Sequence, residues 1–564
     1  MKKYHRLACR VCCALTASCL LTVQPVLADT PIKPDSGQVL RDMQQKERTL
    51  PQRLEVPIIV SEAETPPLQD NGLRVYVERF TITGQDVFPT AVLQPLVSPY
   101  TQKELTLAGL QKAADTLKTY FRSHGYPLAK AYIPAQDIHN GEVELIIVIG
   151  RFGEVNLRNS STVKDAVIRR QMTAMRPGDY VTQGNLERPV LLLNDLPGLN
   201  AKMTITAGKT PGTTDIIMDV KDDNNSKNST LTLNNWGNRF TGTWQAGLST
   251  SFSNLSKHSG AVFLSLTNAG KGMTSGNLSY QIPMLEGGKL NISYSQIRYE
   301  LGEEFASLQS YGTAYTTHAD FSYALLRSRK HNLSLQLGYD SKRLEDRQDS
   351  SEPDTVVNKH SRAYSFGMSG DSRDNWGGGG TTAYSLTHYQ GHLSGSSNGP
   401  DLNAGNWHKT AYSLMRQQFV AERLALLISF NGQLAGTNLD SSEKFSLGGA
   451  TGVRAYPSGE ASGDEAWLCS GELRWQVPGL VGKGAMQLGL FYDTGTSHKA
   501  KYPQSLSDES SNRRSISAYG VNLMYTVPGE YFLKMTYARK AGSEAAKSDT
   551  DRTGRFWVQM GYFF

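Results

Sequence analysis

The amino-acid sequence predicts a mainly β fold: a transmembrane antiparallel β-barrel of about 16 strands, preceded by two small α/β modules and one short helix. Three observations carry that prediction. Apolar and polar residues alternate with period two from about residue 228 to the C-terminus, short turns alternate with long polar connections over the same stretch, and a β-α-α-β-β order occurs twice before it. Among 564 residues, 53 glycines, 26 tyrosines and 18 phenylalanines suit many short strands and tight turns. Beyond the N-terminus no apolar run reaches about 18 residues, which excludes helical membrane spans.

Residues 1–28 read as an export signal. Lys2, Lys3, Arg6 and Arg10 precede an apolar stretch from Val11 to Val23, and Val26-Leu27-Ala28 offers a small-residue cleavage site, so the mature chain is expected to begin near Asp29. Four of the five cysteines fall in that segment; Cys469 alone remains, and no intrachain disulfide is expected. Losing four basic residues lowers the net charge from +6 to +2, a balance that does not call for nucleic acid. In residues 29–50, Gln38 to Arg48 has the composition of a helix capped by Asp35 or Ser36, with Pro51 beyond its end. Its apolar residues are only Val39, Leu40 and Met43, too few for a core-facing stripe, so such a helix persists only in a polar, confining site. A disordered linker explains the composition equally well. Residues 51–72, with Pro66-Pro67, read as linker.

The first module, residues 73–150, starts with a strand at Leu73–Thr83. Leu107, Leu110, Ala114, Leu117 and Phe121 then share one face of a helix from Glu104 to His124, before strands at Leu128–Pro134 and Val143–Ile149 joined by an Asn140-Gly141 turn. The second module, residues 151–223, repeats that order. It has a strand at Phe152–Arg158, helices through Val163–Met172 and Gly184–Asn194, and strands near Ala201–Thr206 and Asp215–Lys221. Such units serve as spacers, or as exposed sheet edges that accept an extended peptide by strand addition.

Residues 224–564 form the barrel. Leu333, Leu335, Leu337 and Tyr339 alternate with Asn332, Ser334, Gln336 and Gly338, and comparable stretches start at Leu424, Tyr519 and Tyr531. An apolar outer face and a polar inner one over such a length indicate lipid outside and water inside. Long connections are expected at about 299–312, 340–362, 391–409, 494–517 and 540–555. In the last strand Phe556, Val558, Met560, Tyr562 and the terminal Phe564 share one face, a pattern that suits recognition by the barrel-assembly machinery.

A long connection between the strands Leu424–Gln433 and Leu468–Val477 contains Gly448-Gly449-Ala450-Thr451-Gly452-Val453-Arg454-Ala455-Tyr456-Pro457, one arginine among small, turn-forming residues. In the following strand Met486, Leu488, Leu490 and Tyr492 take the lipid face, which turns Phe491 and Asp493 into the lumen. In the strand before it, Glu472, Arg474 and Gln476 point inward. Arg454 reaches Asp493 only if its loop folds down into the barrel, where breaking either partner would cost roughly 3–5 kcal/mol.

This order of elements resembles the TpsB transporters of two-partner secretion, the haemolysin secretion/activation type, in the superfamily of the barrel-assembly insertase. Val453-Arg454-Ala455-Tyr456 is similar to that family's Val-Arg-Gly-Tyr/Phe loop motif, and Phe491-Tyr492-Asp493-Thr494-Gly495 matches its Phe-x-Asp-x-Gly strand motif. Leu193-Asn194-Asp195-Leu196-Pro197-Gly198 and Phe80-Thr81-Ile82-Thr83-Gly84 resemble its module signatures. The resemblance implies two periplasmic POTRA modules, a plug helix at Gln38–Arg48, and a lumenal latch made of Val453, Arg454, Tyr456, Phe491, Asp493 and Gly495. It also implies a function: secretion across the outer membrane of a large exoprotein with an N-terminal secretion domain, without enzyme chemistry, cofactor or nucleotide. Ala455 departs from the family glycine, and makes a positive φ there unfavourable.

No phosphate cradle is present, since Gly377 to Gly380 lack the lysine and helix of a P-loop and suit a strand turn. His388 and His392 have helical metal-ligand spacing in a strand context, and no metal site is expected. Asp346, Asp349 and Glu352 read as a solvated loop face. A passive porin would explain the alternation but not the paired modules. An insertase would share the modules and the arginine loop, but generally carries more modules and no plug.

Overall fold

The computed structural model describes residues 33–45, 49–50, 58–60, 74–223, 228–255, 257–398, 402–479, 483–505 and 509–564. The expected export signal lies outside them. Sixteen strands, from Ser229–Asn234 to Gly554–Phe563, each pair antiparallel with the next, and the first closes on the last with Thr230 opposite Phe563. Closure satisfies every edge strand internally, as lipid requires. Alternation sets the two faces: Leu337, Phe366 and Leu490 are exposed to the lipid side, whereas Glu472, Phe491 and Asp493 are buried inside. The C-terminal residues Phe556, Met560, Tyr562 and Phe564 share the outward face, and Trp557 between them points in.

One rim has mostly short turns, such as 286–287, 328–330, 422–423 and 528–530; the opposite rim has the long connections, of which 436–464 is the sixth. Two stretches expected as loops are instead ladder. His331–Gln348 and Thr355–Asp374 stay paired up to Gln348 opposite Thr355, leaving only 349–354 unpaired. Gly380–Ser397 and Gly405–Ala421 likewise extend through the loop expected at 391–409. Beyond the apolar band both faces of a strand meet polar surroundings, so the period-two signal fades while the backbone ladder continues.

The first module differs from expectation in three places. Its opening strand is split into Arg74–Val77 and Arg79–Thr83, because the Glu78 N–H turns to bond Gly141 O at 2.8 Å. The long helix spans Leu107–Ser123, starting where the Thr106 side chain accepts from Gly109 N; the preceding Lys103–Thr106 pairs with Arg74–Val77. A helix at Thr90–Val97 escapes the sequence pattern because Pro95 lies inside it. Asn140 and Gly141 both have positive φ, as their turn needs.

The second module holds its expected strands, as Arg151–Asn159, Leu199–Ala207 and Thr213–Asp222, under helices Asp165–Arg170 and Gln183–Asn194. Its sheet also takes in part of the stretch expected as linker: Ile58–Val60 pairs parallel with Met203–Ile205 at the sheet edge. This module sits on the short-turn rim. Asp195 accepts two 2.7 Å bonds from Arg327, Arg188 donates to Glu286 at 3.1 Å, and Gln171 accepts from Gly287 N at 2.8 Å. Asn194 binds Ala201 in both directions and so fixes the loop that presents Asp195. The signature at 193–198 is therefore a docking element.

Candidate functional site: a helix and an arginine loop inside the barrel

The helix forms at Ser36–Gln44, starting two residues before the expected Gln38, with Asp35 as N-cap accepting from Gln38 N at 2.8 Å; residues 46–48 of the expected helix lie outside the described residues. It lies inside the barrel. Its surroundings are less polar than expected, since Val39, Leu40 and Met43 pack against Phe240, Met273, Ile297, Tyr299, Leu301 and Leu344. Phe240 and Leu301 belong to connections, which explains why no stripe in the strands announces this pocket. Polar anchors surround that apolar contact. Asp346 accepts from Ser36 N at 2.7 Å, from Ser36 Oγ at 2.8 Å and from Tyr299 Oη at 2.5 Å, so it is a docking residue and not a solvated loop acid. Asp349 and Glu352 are exposed as expected.

The helix also leans on the 436–464 connection. Ser441 Oγ donates to Asp35 at 2.6 Å, Lys359 Nζ bridges Asp35 (3.1 Å) and Asp440 (2.8 Å), and Arg41 donates to Ser462 Oγ at 2.5 Å. A Cβ at Gly37 would lie 2.3 Å from Ser441 Oγ and 2.7 Å from Ser442 N, so only glycine lets the two backbones approach. Nearby, Glu443 accepts from Lys342 at 2.6 Å and pairs with Lys409 at 2.9 Å.

Farther along, the same connection turns back on itself. Val453 N donates to Leu447 O at 2.7 Å and Gly449 N to Tyr456 O at 3.2 Å; Gly452 has no room for a Cβ, which would stand 2.0 Å from Leu447 O. The hairpin drives Arg454 into the lumen wall. Its Nε and Nη2 each donate to Asp493 at 2.8 Å, and its Nη1 donates to Glu472 at 2.9 Å. Ser470 Oγ donates to Asp493 at 2.6 Å, Trp557 Nε1 donates to Arg454 O at 2.7 Å, and the guanidinium carbon sits 3.3 Å from the Phe491 ring centroid. The sequence places Glu472 on the inner face; its pairing with Arg454 is new.

Each sequence-predicted position thus has a contact. Val453 and Tyr456 are fully buried in a cluster with Leu447, Phe491, Ile516 and Ala518, and Tyr456 Oη donates to Glu544 O at 2.9 Å. A Cβ at Gly495 would press 2.8 Å from Leu447 Cδ2, so glycine at that strand position makes room for the loop. Ala455 is buried and has no positive φ, so replacing glycine costs no backbone strain here. Gly377, Gly378 and Gly379 have positive φ in a short turn. His388 and His392 lie on a strand, and no cluster that could hold a metal occurs among the described residues.

Comparison with known proteins decides the family. The model for haemolysin secretion/activation proteins of the ShlB/FhaC/HecB type matches residues 212–539, and a POTRA domain of the ShlB type matches residues 75–150. The chain belongs to the ShlB/FhaC/HecB family. Within reach of it is the heme/hemopexin transporter protein HuxB of Haemophilus influenzae, 26% identical over 94% of both chains. The solved structure of CdiB from Escherichia coli superposes with a TM-score of 0.70 at 18% identity, covering 89% of this chain and 93% of that one. CdiB from Acinetobacter baumannii superposes with a TM-score of 0.61 at 15% identity over 100% and 97%. As a member of the ShlB/FhaC/HecB family the protein is an outer-membrane transporter that secretes a partner exoprotein, with its POTRA modules in the periplasm. The short-turn rim is then periplasmic and the long connections are extracellular.

Proposed function

We propose that the Ser36–Gln44 helix is the plug of the secretion channel and that the Arg454 loop is its latch. The observation that carries this reading is the shared seat: one connection holds the helix through Asp440 and Ser441 and holds itself to the wall through Arg454. Cargo then passes only when the helix leaves and the loop shifts. The cargo is a large exoprotein with an N-terminal secretion domain, received by the two periplasmic modules and moved without nucleotide hydrolysis. The extent of the match to HuxB favours a cargo of the haem- or hemopexin-handling class. The residues 556–564 serve as the assembly signal read by the barrel-assembly machinery.

Co-expression with a large exoprotein that carries an N-terminal secretion domain tests the proposal. The exoprotein should appear in the medium only when this barrel is present, and hemopexin should be retained by the secreted product. Equal secretion without the barrel would refute the transport assignment; secretion without hemopexin retention would refute the cargo class alone.

A further inference from the structure

The outer wall of the barrel contains a basic cluster that the secretion path does not use. On the strand His331–Gln348 the lipid-facing series Leu333, Leu335, Leu337, Tyr339 continues through Ser341 to Arg343. On its neighbour, Met368, Phe366 and Tyr364 continue to Arg362 and His360. Register places Tyr339 opposite Tyr364, Ser341 opposite Arg362 and Arg343 opposite His360. The two tyrosine rings, 5.2 Å apart between centroids, stand where apolar residues give way to polar ones, as in an interfacial aromatic belt. The basic groups follow within two pleats, roughly 7–14 Å farther along the strands on the extracellular side.

Charge pairing differs sharply between the two faces of these strands. Inward, Lys342 pairs with Glu443, and Lys359 with Asp35 and Asp440. Outward, neither Arg343 nor Arg362 has an ion pair among the described residues, although both are exposed. The nearest acid on that face, Glu345, is engaged by Arg347 at 2.6 Å. Arg362 Nε instead donates to His360 Nε2 at 3.4 Å, and Arg362 stands opposite His392 on the next strand. At the periplasmic end of the wall the pattern reverses, because Arg416 makes a two-bond pair with Asp374 at 2.8 and 3.0 Å. Like charges on adjacent strands oppose sheet pairing unless an anion lies between them.

We propose that Arg343, His360 and Arg362 bind the phosphate groups of an outer-leaflet glycolipid, lipid A in this membrane. The position supports the choice of occupant: acyl chains would lie on Leu335, Leu337 and Phe366, and the headgroup would reach the guanidinium groups just past the tyrosines. Guanidinium forks suit phosphate oxygens through paired, charge-assisted hydrogen bonds. The lipid's anionic groups would supply the counter-charge that the protein's own outer face lacks.

Native mass spectrometry of the full-length detergent-solubilised protein, titrated with bisphosphorylated lipid A, tests this. Replacing both arginines (Arg343→Gln with Arg362→Gln) should weaken lipid binding roughly 30-fold, taking about fivefold for each basic residue near a charged membrane surface. Dephosphorylated lipid A should bind the unaltered protein comparably weakly, and Arg416→Gln should leave binding unchanged. Heat-modifiable mobility reports barrel folding; if the double variant does not fold, Arg343→Gln alone should still show about a fivefold loss. Equal binding by the variants, or equal binding of the dephosphorylated lipid, would overturn the proposal. Displacement of the lipid by an equal concentration of inorganic phosphate would overturn the lipid as occupant.

Discussion

Two of the anchors that hold the 436–464 connection use opposite chemistry. Near its start the loop supplies carboxylates, Asp440 and Glu443, and the wall supplies Lys359, Lys342 and Lys409. Near its middle the loop supplies Arg454 and the wall supplies Asp493 and Glu472. The first anchor is shared with the helix, because Lys359 and Ser441 both bind Asp35. The second has no helix residue in it. Departure of the helix therefore disturbs the acidic anchor directly and leaves the arginine anchor intact. The proposed gate has a part that yields with the plug and a part that needs its own trigger.

The largest expected effect comes from breaking the arginine anchor. Asp493→Ala leaves Arg454 buried beside one remaining carboxylate and should loosen loop docking by roughly 3–5 kcal/mol. Exoprotein in the medium should fall far more than folded barrel in the membrane, and the exchange Arg454→Asp with Asp493→Arg should recover part of the loss. Wild-type secretion by both Asp493→Ala and Arg454→Ala would deprive the pair of any role in transport. Next comes Gly37→Leu, whose side chain has no space against Ser441 and should cost the docked helix about 1–3 kcal/mol. Planar-bilayer conductance should rise towards that of a variant lacking residues 33–45, while the arginine anchor persists; a wild-type conductance in the deletion would show that the helix does not close the channel.

Lys359→Met tests the sharing itself. Removing the ammonium between Asp35 and Asp440 should weaken helix docking by about 1–3 kcal/mol, and its effect on conductance should be less than additive with Gly37→Leu. Full additivity would mean that helix and loop are held independently. The smallest effect concerns pH. Burial lifts the Asp42 carboxyl above its ordinary range, with Arg41 opposing the shift. The docked helix therefore binds that proton more readily than the released helix does. Docking should tighten slightly as pH falls through the docked-state value, and that part of the pH response of conductance should vanish in Asp42→Asn.

Legibility in the sequence follows the same division. Period-two alternation locates Asp493 and Glu472 on the inner face, and a glycine-rich loop marks Arg454, so the arginine anchor is readable as far as its pairing with Asp493, and only the second carboxylate, Glu472, goes unassigned as a partner. Nothing comparable marks Asp346, Lys359 or Asp440. They sit where strands outrun the apolar band or in the loop itself, and their partners are up to 324 residues away. The helix is obscured for a related reason: four of the nine residues of its apolar pocket, Phe240, Ala269, Leu301 and Phe305, come from connections between strands. Local pattern specifies which face a strand residue takes; it carries no record of what a folded-in segment will press against that face.

Ile58–Val60, held on the sheet edge of the second module, follows the end of the helix at Gln44 by only fourteen positions. The fourteen Cα–Cα steps from Gln44 to Ile58 can span at most roughly 50 Å, whatever their conformation. In the proposed gate, a released helix would therefore stay within that distance of the second module. Re-entry of the proposed plug would then be an intramolecular event, independent of how many transporters the membrane holds.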